Sequence, residues 1–140
     1  FQFVEKHGRV LYNMLKDENR SVFFVHGGTD TETREEIRAL TEKESNAIIV
    51  ASYGTFSTGI NIRNLHNIVF ASPSKSRIRN LQSIGRGLRR GDKKVVCNLF
   101  DIGDDLSWKS HKNYTLNHLI ERIKLYNEEG FNYKLVKINV

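Results

Sequence analysis

Gln82, Arg86 and Arg89 have the spacing of one helical face. An α-helix advances roughly 100° per residue, so positions i, i+4 and i+7 fall within about 60° of one another. A guanidinium stays protonated and can donate two parallel hydrogen bonds to phosphate oxygens. The three side chains therefore predict a phosphate-binding face, in which Gln82 orients a water or bridges to a neighbouring loop. The alternative is an ordinary solvated surface.

Two glycines beside these arginines favour the phosphate-binding interpretation. Gly85 and Gly87 each cost a helix interior about 1 kcal/mol relative to alanine, and their presence indicates that backbone or a ligand approaches closely there. The apolar residues of the segment cluster about a third of a turn away, so they are expected to face a sheet. These residues are Ile78, Leu81, Ile84 and Leu88.

The segment from Gln82 to Arg89 resembles motif VI of superfamily 2 helicases, and other segments match that family in the expected order. An apolar run that ends in His26-Gly27-Gly28 resembles the motif IV strand and the His-Gly turn that follows it. A second apolar run continues into residues 51–62, which resemble motifs Va and V. The resemblance covers about residues 20 to 102. It identifies the chain as similar to the second RecA-like domain of such helicases.

The resemblance also implies roles for individual residues. In the family, the loop between motifs Va and V offers hydroxyls and amides to a nucleic-acid phosphate, and motif V reaches the nucleotide. The implied nucleotide contacts are Gly59, Asn61 and Gly85, and the implied nucleic-acid contacts are Gly27, Gly28, Ser52, Thr55, Ser57 and Thr58. Asn61 stands where many members carry aspartate, so a charge-assisted hydrogen bond is lost there. Without the resemblance, a loop rich in Ser, Thr and Gly predicts an ordinary turn.

The fold implied by the resemblance is α/β and RecA-like, with a mainly parallel sheet covered by helices on both faces, as in the C-terminal domains of P-loop NTPase-type helicases. Residues 1–140 are expected to form this one domain. They contain no Gly-x-x-x-x-Gly-Lys-Ser/Thr cradle, which a nucleoside triphosphate motor needs. ATP and Mg²⁺ are therefore expected to be held mainly by a first RecA-like domain outside these residues, and this chain alone is expected not to hydrolyse ATP.

The partners implied by the resemblance are branched or single-stranded DNA, or an RNA/DNA hybrid, in recombination, repair and replication. A formal net charge of +6 favours a polyanionic partner. The sequence begins at Phe1, which suggests a piece of a longer polypeptide. It has no long apolar run or signal-peptide pattern, so we expect a cytoplasmic location without a membrane partner, in the host cytoplasm if the source is a phage.

Short apolar runs alternate with helix-like stretches along the chain, which predicts a parallel sheet with ligands at the carboxyl ends of its strands. The expected strands are 22–25, 47–51, 68–71 and 95–100, with a last one at 133–140. The clearest helices are expected at 31–44, with Asp30 or Thr31 as N-cap, and at 115–129, with a stripe of Leu116, Leu119, Ile120, Ile123 and Tyr126. Cys97 is expected in the core, and no histidine spacing predicts a metal site.

Two other function classes stay open at this point. A non-enzymatic nucleic-acid-binding α/β module would show affinity that falls with salt and ignores ATP. A small-molecule-binding α/β domain would explain neither the arginines nor the basic charge. Tyr53 and Phe56 could stack on bases, although packing under the 53–58 loop is the favoured interpretation.

Overall fold

A computed structural model gives the fold of residues 3–16, 19–59, 61–62, 65–72, 76, 81–82, 84–85, 96–111 and 113–139. The chain starts with a π-helical turn, Val4–Gly8, which continues into helix α1, Arg9–Leu15. Strands and helices then alternate. The remaining elements are β1 (Val22–Val25), α2 (Thr31–Lys43), β2 (Ile48–Ala51), α3 (Tyr53–Gly59), β3 (Asn67–Phe70), β4 (Asn98–Asp101) and α4 (Tyr114–Glu128).

The four strands form two parallel pairs within the described residues. β1 pairs with β2, with Val25 opposite Ala51, and β3 pairs with β4, with Phe70 opposite Asp101. All four predicted strands up to residue 101 are present, although β2 begins one residue late and β3 is displaced by one residue towards the N-terminus. β4 covers 98–101 instead of the predicted 95–100, and residues 96 and 97 are not in the strand. The α/β class with parallel pairing is confirmed. Parallel pairing sets the carboxyl ends of paired strands side by side.

Side chains fix where the two long helices begin. Asp30 Oδ1 accepts a 2.8 Å hydrogen bond from the Thr33 amide, so Asp30 is the N-cap of α2. Asn113 Oδ1 caps α4 in the same way, accepting from the Leu116 amide at 3.1 Å. After α4, Gly130 adopts a φ of 68°, the left-handed conformation that commonly ends a helix. The predicted helices are confirmed to within one residue at each end.

Two clusters of buried side chains make the core. One contains Tyr53, Ile68, Phe70, Ile84 and Tyr126, and the other contains Val25, Ile37 and Ile62. Leu81, Gln82, Ile84 and Gly85 are helical, with Ile84 buried and Leu81 half-buried. The predicted apolar face is confirmed at these two positions. Ile78 and Leu88 lie outside the described residues.

The buried face of α4 differs from the predicted stripe. Arg122, Leu125 and Tyr126 are its buried residues, whereas Ile120 is exposed. Arg122 was not part of the predicted stripe, and an arginine is rarely buried without a partner. Asp101 supplies that partner, which turns the face of α4 towards the end of β4.

The strand predicted for the last eight residues is wrong for those that the structure describes. Residues 131–139 have no regular secondary structure, and Leu135, Val136 and Ile138 are exposed. Alternation of apolar and polar residues favours a strand only where a neighbouring strand offers backbone hydrogen bonds. The described part of this segment pairs with neither sheet.

Candidate functional site at the carboxyl ends of the strands

Hydrogen bonds join the carboxyl ends of the two strands within each pair. The Ser52 amide, just after β2, donates to the Val25 carbonyl at the end of β1 at 3.1 Å. The Ile102 amide, just after β4, donates to the Phe70 carbonyl at the end of β3 at 3.2 Å. This edge of parallel sheets is where α/β proteins bind ligands.

Tyr53 joins the two strand pairs. Its hydroxyl donates a buried 2.8 Å hydrogen bond to the carbonyl of Ser72, two residues beyond β3. The Tyr53 ring packs 5.5 Å from the Phe70 ring. The prediction that Tyr53 packs rather than stacks on a base is therefore confirmed, and its hydroxyl fixes the position of the chain after β3 as well.

The turn after β1 is closed by its own polar groups. His26 Nδ1 accepts from the Gly28 amide at 3.1 Å, and Thr29 Oγ1 accepts from the His26 amide at 3.1 Å. A Cβ atom on Gly28 would lie 3.0 Å from His26 Cε1, so a larger residue at this position would require the His26 ring to move. Gly27 and Gly28 are both exposed, which leaves the predicted phosphate-contacting turn accessible.

The Arg34 side chain also stabilises the turn after β1. Its Nη2 donates to the carbonyls of His26 and Gly27 at 3.3 and 3.1 Å. The Arg34 Nε is buried and has no hydrogen-bond partner among the described residues. This contact was not predicted, and the signal for it in the sequence is an arginine one helical turn after the Asp30 cap.

Residues 53–59 form helix α3, so the predicted open loop is wrong. Ser52 precedes the helix, and its hydroxyl accepts from the Thr55 amide at 3.3 Å, as an N-cap does. The Ser57 hydroxyl donates to the Tyr53 carbonyl at 2.6 Å. Thr55 and Ser57 are buried, whereas Ser52 is half-buried. The two glycines at 54 and 59 favour a loop, whereas the Ser52 hydroxyl at the N-terminus of residues 53–59 favours the helix that is observed.

The remaining candidates divide between exposed and undescribed positions. Gln82 and Gly85 are exposed on the helix whose Ile84 enters the core, which is the arrangement that the spacing predicts. Asn61 is exposed next to the buried Ile62. Gly59 ends α3. Arg86, Arg89 and the side chain of Thr58 lie outside the described residues, so their roles stay predictions.

A buried ion pair lies at the end of β4. Arg122, whose side chain is 1% exposed, donates from Nε to Asp101 Oδ2 at 2.7 Å and from Nη2 to Oδ1 at 2.8 Å. The Tyr126 hydroxyl donates to Asp101 Oδ2 at 2.6 Å. Burial lowers the pKa of Arg122, but the hydrogen bonds that it donates to Asp101 and the negative charge of that carboxylate together outweigh burial, and the net shift is upwards. Burial and the same carboxylate raise the pKa of Tyr126.

This cluster was not predicted, although the sequence holds a signal for it. Arg122 lies three residues after Leu119 and four before Tyr126, so it occupies the apolar face of its helix. A charged residue on such a face needs a partner from another element.

Among the described residues, no group of three or more His, Cys, Asp or Glu side chains could hold a metal ion. No helix in that part of the chain has the length and apolarity that a membrane crossing needs.

The fold and these motifs identify the protein family to which the chain belongs. The model of the helicase conserved C-terminal domain matches residues 2–91, and the chain belongs to this family. The resemblance to superfamily 2 helicases is thereby confirmed. The chain is 41% identical to the ATP-dependent DNA helicase UvsW of Enterobacteria phage T4, over 96% of this chain and 29% of UvsW. The sequences of residues 51–62 and 80–90 by themselves indicate a similarity to UvsW, and the match over nearly the whole chain confirms it.

Solved structures and more distant relatives agree. The crystal structure of T4 UvsW superposes with a TM-score of 0.70 and 39% identity, covering 96% of this chain and 29% of that one. A putative ATP-dependent RNA helicase of African swine fever virus is 32% identical over 66% of this chain and 17% of its own length. The crystal structure of the C-terminal part of the Fun30 ATPase domain superposes with a TM-score of 0.56 and 17% identity, covering 89% of this chain and 45% of that one. This likeness supports the fold alone. The chain thus spans less than a third of UvsW.

Proposed function

We propose that this chain is the second motor domain of an ATP-dependent nucleic-acid helicase. The observation that carries the proposal is the family match over residues 2–91, which includes the Gln82–Arg89 segment. The strand ends support it, because they present the exposed turn at Gly27 and Gly28 on the edge where α/β domains bind ligands.

In this role Arg86 and Arg89 stabilise the charge that develops on the transferred phosphoryl group of ATP. A guanidinium in such a position is worth on the order of 10³ to 10⁵ in rate in other phosphoryl-transfer systems. Gln82 orients the attacking water or bridges to a neighbouring loop. The support from the structure is that Ile84 is buried while Gln82 and Gly85 are exposed, so the helix turns its polar face away from the core.

The nucleotide itself is held mainly by a first RecA-like domain of the same polypeptide. That domain supplies the phosphate cradle and the carboxylate for Mg²⁺, neither of which has a candidate in this sequence. The bound nucleotide lies between the two domains, and Gly59, Asn61 and Gly85 contact it from the second domain. Opening and closing of the two domains then couples hydrolysis to stepping along the nucleic acid.

The nucleic-acid contacts of this domain are made to phosphates. Gly27 and Gly28 form an exposed turn, Ser52 is half-buried just before α3, and Thr58 belongs to α3. We assign the phosphate contacts to these four residues. Thr55 and Ser57 are buried and hydrogen-bonded, so we assign them to holding α3 in position. Phosphate contacts carry no sequence information, as a motor that steps over every base requires.

The substrate class follows from UvsW, which is named as a DNA helicase. We propose branched or single-stranded DNA, with an RNA/DNA hybrid as a further substrate because one relative is named as an RNA helicase. The intact protein would then act by unwinding or branch migration in recombination, repair and replication.

A chimera tests the proposed function. The aligned region of T4 UvsW is replaced by this chain, and DNA-stimulated ATP hydrolysis is measured beside the isolated chain. We expect an active chimera and an inactive isolated chain. A chimera that binds DNA but neither hydrolyses ATP nor responds to it would contradict the proposal and favour the non-enzymatic binding module, which the net charge of +6 also allows.

A further inference from the structure

The loop between β4 and α4 is held by hydrogen bonds among its own polar side chains. The Ser107 amide donates to Asp105 Oδ1 at 3.1 Å, and Asn113 Nδ2 donates to the same oxygen at 3.0 Å. Asn113 also caps α4 by accepting from the Leu116 amide. The loop is therefore fixed to the start of a long helix rather than loosely connected.

Trp108 lies at the tip of this ordered loop, 65% exposed. The His111 amide donates to the Trp108 carbonyl at 3.1 Å, and the turn between them places Lys109 at a φ of 49°. That left-handed conformation is uncommon for a residue other than glycine. The loop thus adopts an unfavourable backbone conformation at Lys109. It also leaves its largest apolar side chain exposed to solvent, although burying that side chain would stabilise the fold.

One lysine lies against the indole, and a second lies near the same loop. The Lys109 ammonium lies 5.4 Å from the Trp108 ring centroid, close enough for a cation–π interaction. The pKa of Asp105 is lowered by hydrogen bonds from Ser107 and further by the charge of Lys137, so Lys137 of the C-terminal segment lies near this loop. Asp104 and Asp105 are the acidic groups of the loop, and Asp105 accepts hydrogen bonds from Ser107 and Asn113.

The loop lies on the same edge as the candidate site. It follows β4 directly, and its first residue, Ile102, donates to the carbonyl of Phe70 at the end of β3. The match to the helicase C-terminal family covers residues 2–91, so the loop falls outside the part of the chain to which that family assigns motifs.

We propose that Trp108 is a stacking platform for a base of single-stranded nucleic acid, with Lys109 and Lys137 beside the adjoining phosphates. An exposed aromatic ring flanked by cations is the combination that binds single strands without sequence preference, because every base has a π-face and every nucleotide a phosphate. An apolar peptide or a second copy of the chain would cover the ring but would leave the lysines unused. The inference rests on the proposed function, since it adds a base contact to the phosphate contacts of the motor domain.

The test uses the fact that Trp108 is the only tryptophan of the chain, so its fluorescence reports this loop alone. The 140-residue chain is titrated with oligothymidine of about 16 nucleotides, and with an abasic oligonucleotide of equal length. Fluorescence anisotropy of a labelled strand measures total binding in parallel. We expect saturable quenching by oligothymidine and binding of the abasic strand that is weaker by about fivefold or more.

Three variants complete the test by anisotropy. Trp108→Ala should weaken oligothymidine binding by about fivefold or more. Trp108→Phe should retain most of the binding, because a phenyl ring still stacks on a base. Phe3→Ala removes another exposed aromatic side chain and should leave the affinity for oligothymidine unchanged. Binding without quenching, or equal binding of the abasic strand, would overturn the stacking platform and leave the proposed function intact. No binding by either readout would count against both proposals.

Discussion

The Tyr53 hydroxyl lies 2.8 Å from the Ser72 carbonyl oxygen, and this buried hydrogen bond joins the start of α3 to the chain that leaves β3. Both residues are buried. The residues that follow β2 and those that follow β3 carry different parts of the candidate site. The Tyr53 side chain therefore links the residues that follow β2 directly to those that follow β3.

Tyr53→Phe should lower the free energy of unfolding by about 1–3 kcal/mol, because it leaves the buried Ser72 carbonyl without its donor. Chemical denaturation of the purified chain measures this. Tyr114→Phe is the matched control, since Tyr114 is largely exposed and its variant should be as stable as the wild type. Equal stability of both variants would show that the Tyr53 hydroxyl contributes nothing to holding the strand ends together.

The buried pair at the end of β4 predicts a large coupling between Asp101 and Arg122. Asp101→Leu alone removes the carboxylate that compensates a buried guanidinium and should cost about 3–5 kcal/mol of unfolding free energy. The double variant with Arg122→Met should recover much of that loss, because it removes both charges. A double-mutant cycle from denaturation curves gives the coupling free energy.

The control for that cycle lies on the same helix. Glu121 and Lys124 form a 2.8 Å ion pair whose side chains are both largely exposed, and exposed pairs contribute at most about 1 kcal/mol. A coupling between Asp101 and Arg122 no larger than that of the exposed pair would contradict the assignment of a structural role to the buried one.

Gly103 predicts a steric effect between the loop after β4 and helix α4. A Cβ atom at this position would lie 2.5 Å from Leu119 Cδ2 and 2.9 Å from Leu119 Cβ, so Gly103→Ala should cost about 1–3 kcal/mol through overpacking. Gly54→Ala is the comparison, because its Cβ would meet nothing within 4 Å in α3, and it should raise stability by up to about 1 kcal/mol. Thermal unfolding distinguishes them, and a stable Gly103→Ala variant would refute the predicted clash.

Most of the backbone arrangement could be predicted from the sequence, because apolar runs and helix caps are local signals. The Asp30 cap and the four strands are examples. What could not be predicted depends on partners distant in sequence. Arg122 is buried only because Asp101 faces it, and the predicted C-terminal strand fails for lack of a neighbouring strand. Helix α3 was missed because glycine content outweighed a hydroxyl cap whose geometry is visible only in three dimensions.

The sequence predicted which residues belong to the candidate site, but it predicted their burial and position only in part. Motif spacing identified Gln82 and Gly85, which are exposed next to the buried Ile84. Spacing gave no information on whether a hydroxyl is buried, and Thr55 and Ser57 proved to be so. Side-chain burial depends on the packing of α3 against β3, a contact made through Tyr53 and Phe70.

Gly85→Ala separates a role at the nucleotide from a role in the fold. A Cβ atom at Gly85 would meet nothing within 4 Å, so the free energy of unfolding should stay the same or rise by up to about 1 kcal/mol. If the nucleotide approaches this position, ATP turnover by the chimera with UvsW should fall on the order of tenfold to a hundredfold. Unchanged turnover in a stable variant would remove Gly85 from the nucleotide contacts.

The central claim is that this domain supplies a catalytic arginine to ATP bound elsewhere, and Arg89→Ala in the chimera with T4 UvsW tests it most directly. DNA-stimulated ATP hydrolysis should fall about a hundredfold or more, while nucleotide binding persists because the first domain holds the phosphates. Arg90→Ala is the neighbouring control and should retain most of the turnover. Hydrolysis by the Arg89→Ala chimera at the wild-type rate would contradict the claim.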